Sequence, residues 1–101
     1  MSGAPTAEKT TVINMRTADI HPIHGVRIDR STPWGNPFHI DNGNTRAEVV
    51  HQFAAWVRLS DDPKAIWIRG HVHELRGKQL GCWCVPRQCH GYVLAEMADA
   101  S

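Results

Sequence analysis

The segment that most restricts the fold is "TRAEVVHQFAAWVRLS", residues 45–60. Val49, Val50, Phe53, Trp56 and Val57 recur at three- and four-residue steps, the spacing that lines one side of an α-helix with apolar groups. Thr45 and Glu48 stand three residues apart, so the hydroxyl can serve one end of the first turn and the carboxylate the other. A stripe of this kind must be covered by a second layer. The neighbouring segments supply one. "VRIDR" (26–30) alternates, with Val26 and Ile28 on one face and Arg27 and Asp29 on the other, as a half-buried strand does. "TTVINMRT" (10–17) reads as a first strand, and "KQLGCWC" (78–84) as a central strand with Leu80, Cys82 and Cys84 facing one way and Gly81 and Trp83 the other. Asp62 before Pro63 predicts a second helix start. Ala65, Ile68, Val72 and Leu75 fit its inner face, although "AIWI" also suits a strand and Gly70 weakens a helix. A last helix is predicted from near Cys89, with Val93, Leu94 and Met97 facing inward. This order of elements implies a small single-domain α/β layered fold, a few-stranded sheet packed with two to three helices.

Residues 1–9, "MSGAPTAEK", read as a flexible N-terminal arm, and residues 10–101 as one α/β domain with a modest core. No apolar run approaches the roughly 18 residues of a membrane span, and no signal peptide is recognisable, so a cytoplasmic protein is expected. A formal net charge of +1 argues against duplex nucleic acid as a partner, because such binding needs Lys and Arg gathered on one face.

All three cysteines lie in "GCWCVPRQCHG" (81–91), with His90 directly after the last. Their odd number and close spacing argue against a disulfide framework. Cys82 and Cys84 on a strand would have Cα atoms about 6.6 Å apart with parallel side chains, a poor pair for a bond. Zinc is a possible cofactor by ligand type, three Cys and one His. The spacing is unfavourable, because only one residue separates Cys82 from Cys84, and adjacent Cys89 and His90 on a helix would point roughly 100° apart. A site completed by His71 or His73 instead of His90 is geometrically kinder; no metal ligand is assigned. Cys82 and Cys84 are expected to pack as small apolar groups. Cys89, in the first turn of the last helix, would see its positive end and be favoured as a thiolate, with Arg87 pushing the same way and His90 able to act as acid or base. The same features describe an anion cradle.

"RSTPWGNPF" (30–38) is the other unusual segment. Pro33 and Pro37 stiffen it, Gly35 allows close approach, and Ser31 and Asn36 offer hydrogen-bonding groups. A rigid loop carrying Trp34 and Phe38 suits a planar ligand, while the same two aromatics, taken alone, are expected to plug the core.

With its Pro-Trp-Gly-Asn-Pro-Phe loop, central helix, Leu-Arg-Gly-Lys turn, Cys-Trp-Cys strand and Cys-His helix start, the chain resembles domain of unknown function 4326 over residues 11–98. That family comprises small bacterial and phage proteins, so a phage origin is what the resemblance implies. The Cys89-His90 turn is also similar to a second uncharacterised α/β group with Cys-His-Arg, from which this chain departs at Gly91 and Cys84. The expectation is a pocket between the 30–38 loop and the 84–90 turn that binds a nucleotide, nucleobase or other small anionic ligand. Arg30, Ser31, Trp34, Asn36 and Arg87 would be binding residues; in an enzyme, Cys89 would be the nucleophile and His90 the acid or base. The alternative is a non-enzymatic module that binds a host protein, with core or zinc-bound cysteines. Single-stranded nucleic acid stacked on Trp34 and Trp83 is a weaker third reading.

Overall fold

The computed structural model describes residues 9–38, 45–83 and 89–100. Three short strands form one parallel sheet: β1 (Thr11–Asn14), β2 (Gly25–Arg27) and β3 (Gln79–Cys82), in the order β1-β3-β2. The strand latest in sequence is therefore the central one. Val12 and Val26 flank Leu80 in register, and the Ile28 N–H donates to the Gly81 carbonyl at 3.0 Å, just beyond the end of β2. A parallel strand can be reached only by a long crossover. Here two helices fill it, α1 (Arg46–Leu59) and α2 (Pro63–His71), followed by a 3-10 turn at Val72–Leu75. The last helix, α3 (His90–Ala100), returns against β1 and β3 and also packs against α1 and the 3-10 turn.

The helix signals act as their chemistry predicts. The Thr45 hydroxyl accepts from the Glu48 N–H while the Glu48 carboxylate accepts from the Thr45 N–H, both at 3.1 Å. Asp62 caps α2 by accepting from the Lys64 N–H at 2.9 Å, with Pro63 in the first turn. The ambiguous "AIWI" is helical: Ala65 and Ile68 are buried on α2, and Val72 and Leu75 continue the same face through the 3-10 turn. Gly70 falls on the exposed side, where a missing side chain loses no packing.

The inner face of α3 is rotated from the expected one. His90, Gly91, Leu94, Ala95 and Ala98 are buried, whereas Val93 and Met97 are half-buried at its edge. Small residues place the helix close to the sheet. A Cβ on Gly91 would lie 2.7 Å from Ile28 Cδ1 and 3.0 Å from Val12 Cγ1, so a larger residue would have to displace those side chains or the start of α3. At the other end, Thr10 ties the chain entering β1 to α3, its hydroxyl donating to Asp99 at 2.7 Å.

The core joins Phe53 and Val57 of α1 and Ile68 of α2 to Leu80 and Cys82 of β3 and Leu94 of α3. Among the described residues no helix is long and apolar enough to cross a membrane. The first eight residues of the expected N-terminal arm lie outside the described residues.

Candidate functional site

The corner where β3 hands over to α3 gathers the sulfur and imidazole groups. Cys82 ends β3 and Cys89 stands immediately before the first residue of α3. Their Sγ atoms are 3.0 Å apart, and each residue is only 2% exposed. The Gly91 N–H donates to Cys89 Sγ at 3.4 Å, so the sulfur occupies the place of a capping oxygen at the helix start. Because Cys89 precedes the helix, it does not diverge from His90 as two helical neighbours would, and Cys89 Sγ lies 3.7 Å from His90 Nδ1. His90 Nε2 contacts the Ile28 carbonyl at 2.7 Å; a carbonyl only accepts, so Nε2 carries the proton and Nδ1 turns a lone pair towards the thiol. Phe53 meets the imidazole edge-on, ring centroids 5.1 Å apart. Burial pushes the His90 pKa below the ordinary imidazole value; the carbonyls of Ile28 and Trp34 oppose this, and the positive charges of Arg30 and Lys64 reinforce it.

The 29–38 loop is organised by Asp29. Its carboxylate accepts from the Ser31 N–H at 3.1 Å, the Ser31 hydroxyl, the Arg27 guanidinium at 2.6 Å and the Trp83 indole N–H at 3.0 Å. Burial acts to raise the carboxyl pKa, but the hydrogen bonds from Ser31, Arg27 and Trp83 outweigh it and hold Asp29 well below the usual carboxylate range. Gly35 permits the return of the loop, since a Cβ there would meet Arg30 Cα at 2.7 Å and the Asp29 carbonyl at 2.8 Å. Asn36 is buried, donating to the Val49 carbonyl at 3.4 Å and accepting from the Phe38 N–H at 2.8 Å, which fastens the loop to α1.

Between these two assemblies lies a cavity of about 300 Å³, open to solvent on one side. Arg30, Ser31, Asn36, Cys89 and His90 all line it. Trp34 does not. It is 7% exposed and packs against Trp67, ring centroids 4.9 Å apart, so the indole fills the core instead of facing a ligand. Phe38 likewise packs edge-on against Trp56. Arg87 and Cys84 lie outside the described residues, as does most of the 84–90 turn. Among the described residues no group of three or more His, Cys, Asp or Glu side chains is arranged to hold a metal ion.

The cavity also contains Arg46, Val49 and Val50 from the first turns of α1, which the sequence did not single out for a site, and Trp83 just after β3, which the sequence offered only as a stacking surface for single-stranded nucleic acid. The indole of Trp83 is 44% exposed, although its N–H is fixed to Asp29. An alternating "GCWC" puts Trp83 opposite the cysteines, which signals exposure but not a neighbour 54 residues away. Val49 and Val50 were legible as apolar helix positions; that the stripe runs past the core and into a cavity was not.

No solved structure matches this chain. It is similar to an uncharacterized 12.4 kDa protein in the nrdA-td intergenic region of Enterobacteria phage T4, 34% identical over 77 residues that span 73% of this chain and 67% of the phage protein. The model of a family described as "Domain of unknown function (DUF4326)" matches residues 13–100, from within β1 to the last residue of α3, and the chain therefore belongs to that family, with a relative in a phage.

Proposed function

We propose that the cavity binds a small anionic ligand with a planar ring, of which a nucleotide is the best fit. The observation that carries this reading is the pairing of a half-exposed indole, Trp83, with two guanidinium groups, Arg30 and Arg46, around one cavity of about 300 Å³. The volume lies at the small end of the range for ligand pockets, about 300–1,000 Å³. Trp83 is a preorganised stacking surface, because its bond to Asp29 fixes the ring before a ligand arrives. A base stacked on an aromatic side chain gains about 1–3 kcal/mol. Val49 and Val50 supply apolar wall opposite polar groups, and Arg30 and Arg46 suit phosphate oxygens, which guanidinium groups bind through paired N–H donors. Arg30 is steadied by donating to the Phe38 carbonyl at 2.9 Å. Asn36 acts through the loop, its amide already committed to backbone. Cys89 and His90 stand in the wall as the groups able to act on a bound ligand, a thiol next to a neutral imidazole that can accept its proton.

The test is isothermal calorimetry with the four ribonucleoside monophosphates, their deoxy forms, the matching nucleosides and inorganic phosphate. At least one monophosphate should bind with quenching of tryptophan emission and more tightly than its nucleoside. Arg46→Ala and Trp83→Ala should each weaken that binding about tenfold or more, the equivalent of losing one charge-assisted contact or one stacked ring. Absence of heat and of quenching across the panel would overturn the reading.

A further inference from the structure

The sulfur pair supports a second chemistry that does not depend on any nucleotide. We propose that Cys82 and Cys89 form a reversible dithiol–disulfide pair, oxidised by a small hydroperoxide that enters through the cavity, with His90 carrying the proton. Both residues face the same cavity, so two otherwise buried sulfurs share one route to solvent. At 3.0 Å they need to approach by only about 1 Å to reach bonding distance. They come from different elements, the end of β3 and the start of α3, so a bond would pin the last helix to the central strand.

Of the two, Cys89 is the attacking group. His90 Nδ1 lies 3.7 Å from its sulfur with the lone pair towards it, and the Gly91 N–H donates to the same sulfur at 3.4 Å. Transfer of the Cys89 proton to Nδ1 leaves a thiolate facing a backbone N–H and the positive end of α3, both of which stabilise it. The imidazolium formed is held by the Ile28 carbonyl, which already accepts from Nε2 at 2.7 Å. The thiolate attacks one peroxide oxygen, breaking the O–O bond; Cys89 becomes a sulfenic acid and the departing oxygen leaves as an alcohol or water with the proton from His90. Cys82 then attacks the Cys89 sulfur, an S–S bond forms and water departs with the Cys82 proton. Two thiols and one hydroperoxide give one disulfide, one alcohol (or water) and one water, two electrons passing from sulfur to the peroxide. A dithiol reductant reverses the change by exchange.

The experiment uses the full chain carrying Cys84→Ser, which leaves one possible intrachain pair. Folded and guanidinium-denatured protein are each given one equivalent of hydrogen peroxide, and the products are followed by intact mass and non-reducing peptide mapping. The folded chain should lose two hydrogen atoms, map as a Cys82–Cys89 bridge at least about tenfold faster than the denatured chain, and return to the dithiol with dithiothreitol. His90→Gln in the same background should slow bridging about tenfold or more at neutral pH. The proposal fails if the folded chain bridges no faster than the denatured one, if Cys89 accumulates as sulfinic acid beside an intact Cys82, or if only intermolecular disulfides form. A His90→Gln protein that is folded and bridges at the parent rate removes His90 from the mechanism. The folded-against-denatured comparison decides the sulfur pair without that variant.

Discussion

Acidification tests the account of His90 most directly. The imidazole is 8% exposed, donates Nε2–H to the Ile28 carbonyl, and burial lowers its pKa from an ordinary value of 6.5. In the unfolded chain the same ring takes up a proton as the pH falls through about 6.5, and the folded chain resists doing so. Stability therefore rises with pH wherever the unfolded state binds more protons, and is lost on going down from about 6.5 towards the folded value. If the folded ring stays neutral, moving from pH 7.5 to pH 5 costs at most about 2 kcal/mol, from the ratio of protonated to neutral unfolded chains at the two values. Urea denaturation followed by tryptophan emission at several pH values measures this. The comparison is with His90→Gln, whose amide can still donate to the Ile28 carbonyl but does not titrate. The other six of the seven histidines are the same in both proteins, so whatever they contribute cancels in the difference. The parent should lose up to about 2 kcal/mol more than the variant between pH 7.5 and pH 5. A constant difference across that range, or a greater loss in the variant, would refute the placement of a buried neutral imidazole.

Two further outcomes follow from the cavity wall. Gly35→Ala forces a methyl group against Arg30 Cα and the Asp29 carbonyl, backbone atoms that cannot rotate away, and should cost about 1–3 kcal/mol in urea denaturation while weakening binding of whichever nucleotide the calorimetry identifies. Asp29→Asn removes the charge that holds Arg27, Ser31 and the Trp83 indole together, so it should destabilise the fold by about 1–3 kcal/mol and shift the tryptophan emission as Trp83 loosens; unchanged emission would mean the indole is held by other contacts.

Local chemistry made much of this molecule readable in its sequence. The Thr45–Glu48 box, the Asp62-Pro63 start and the apolar stripe of α1 follow from hydrogen bonding and periodicity within about one turn, which any chain carrying those residues obeys. The alternation of "VRIDR" put Ile28 inside and Arg27 outside for the same reason. Short apolar runs were ambiguous, and only packing resolved "AIWI" as helix, because Ala65 and Ile68 found α1 and the core to lie against. The inner face of α3 was set by closeness of approach, with Gly91 and the alanines admitted nearest to the sheet and the larger Val93 and Met97 left at the rim.

The sequence by itself determined the α/β class, the helix starts and the chemical types present at two unusual segments. Tertiary structure alone decided that β3 lies between β1 and β2, that Trp34 fills the core while Trp83 borders the cavity, and that the Cys82 and Cys89 sulfurs meet at the start of α3. The physical reason is reach. Hydrogen bonds and periodic burial act over a few residues, whereas the meeting of Asp29 with Trp83, or of Ile28 with His90, depends on a parallel crossover whose path no local preference specifies.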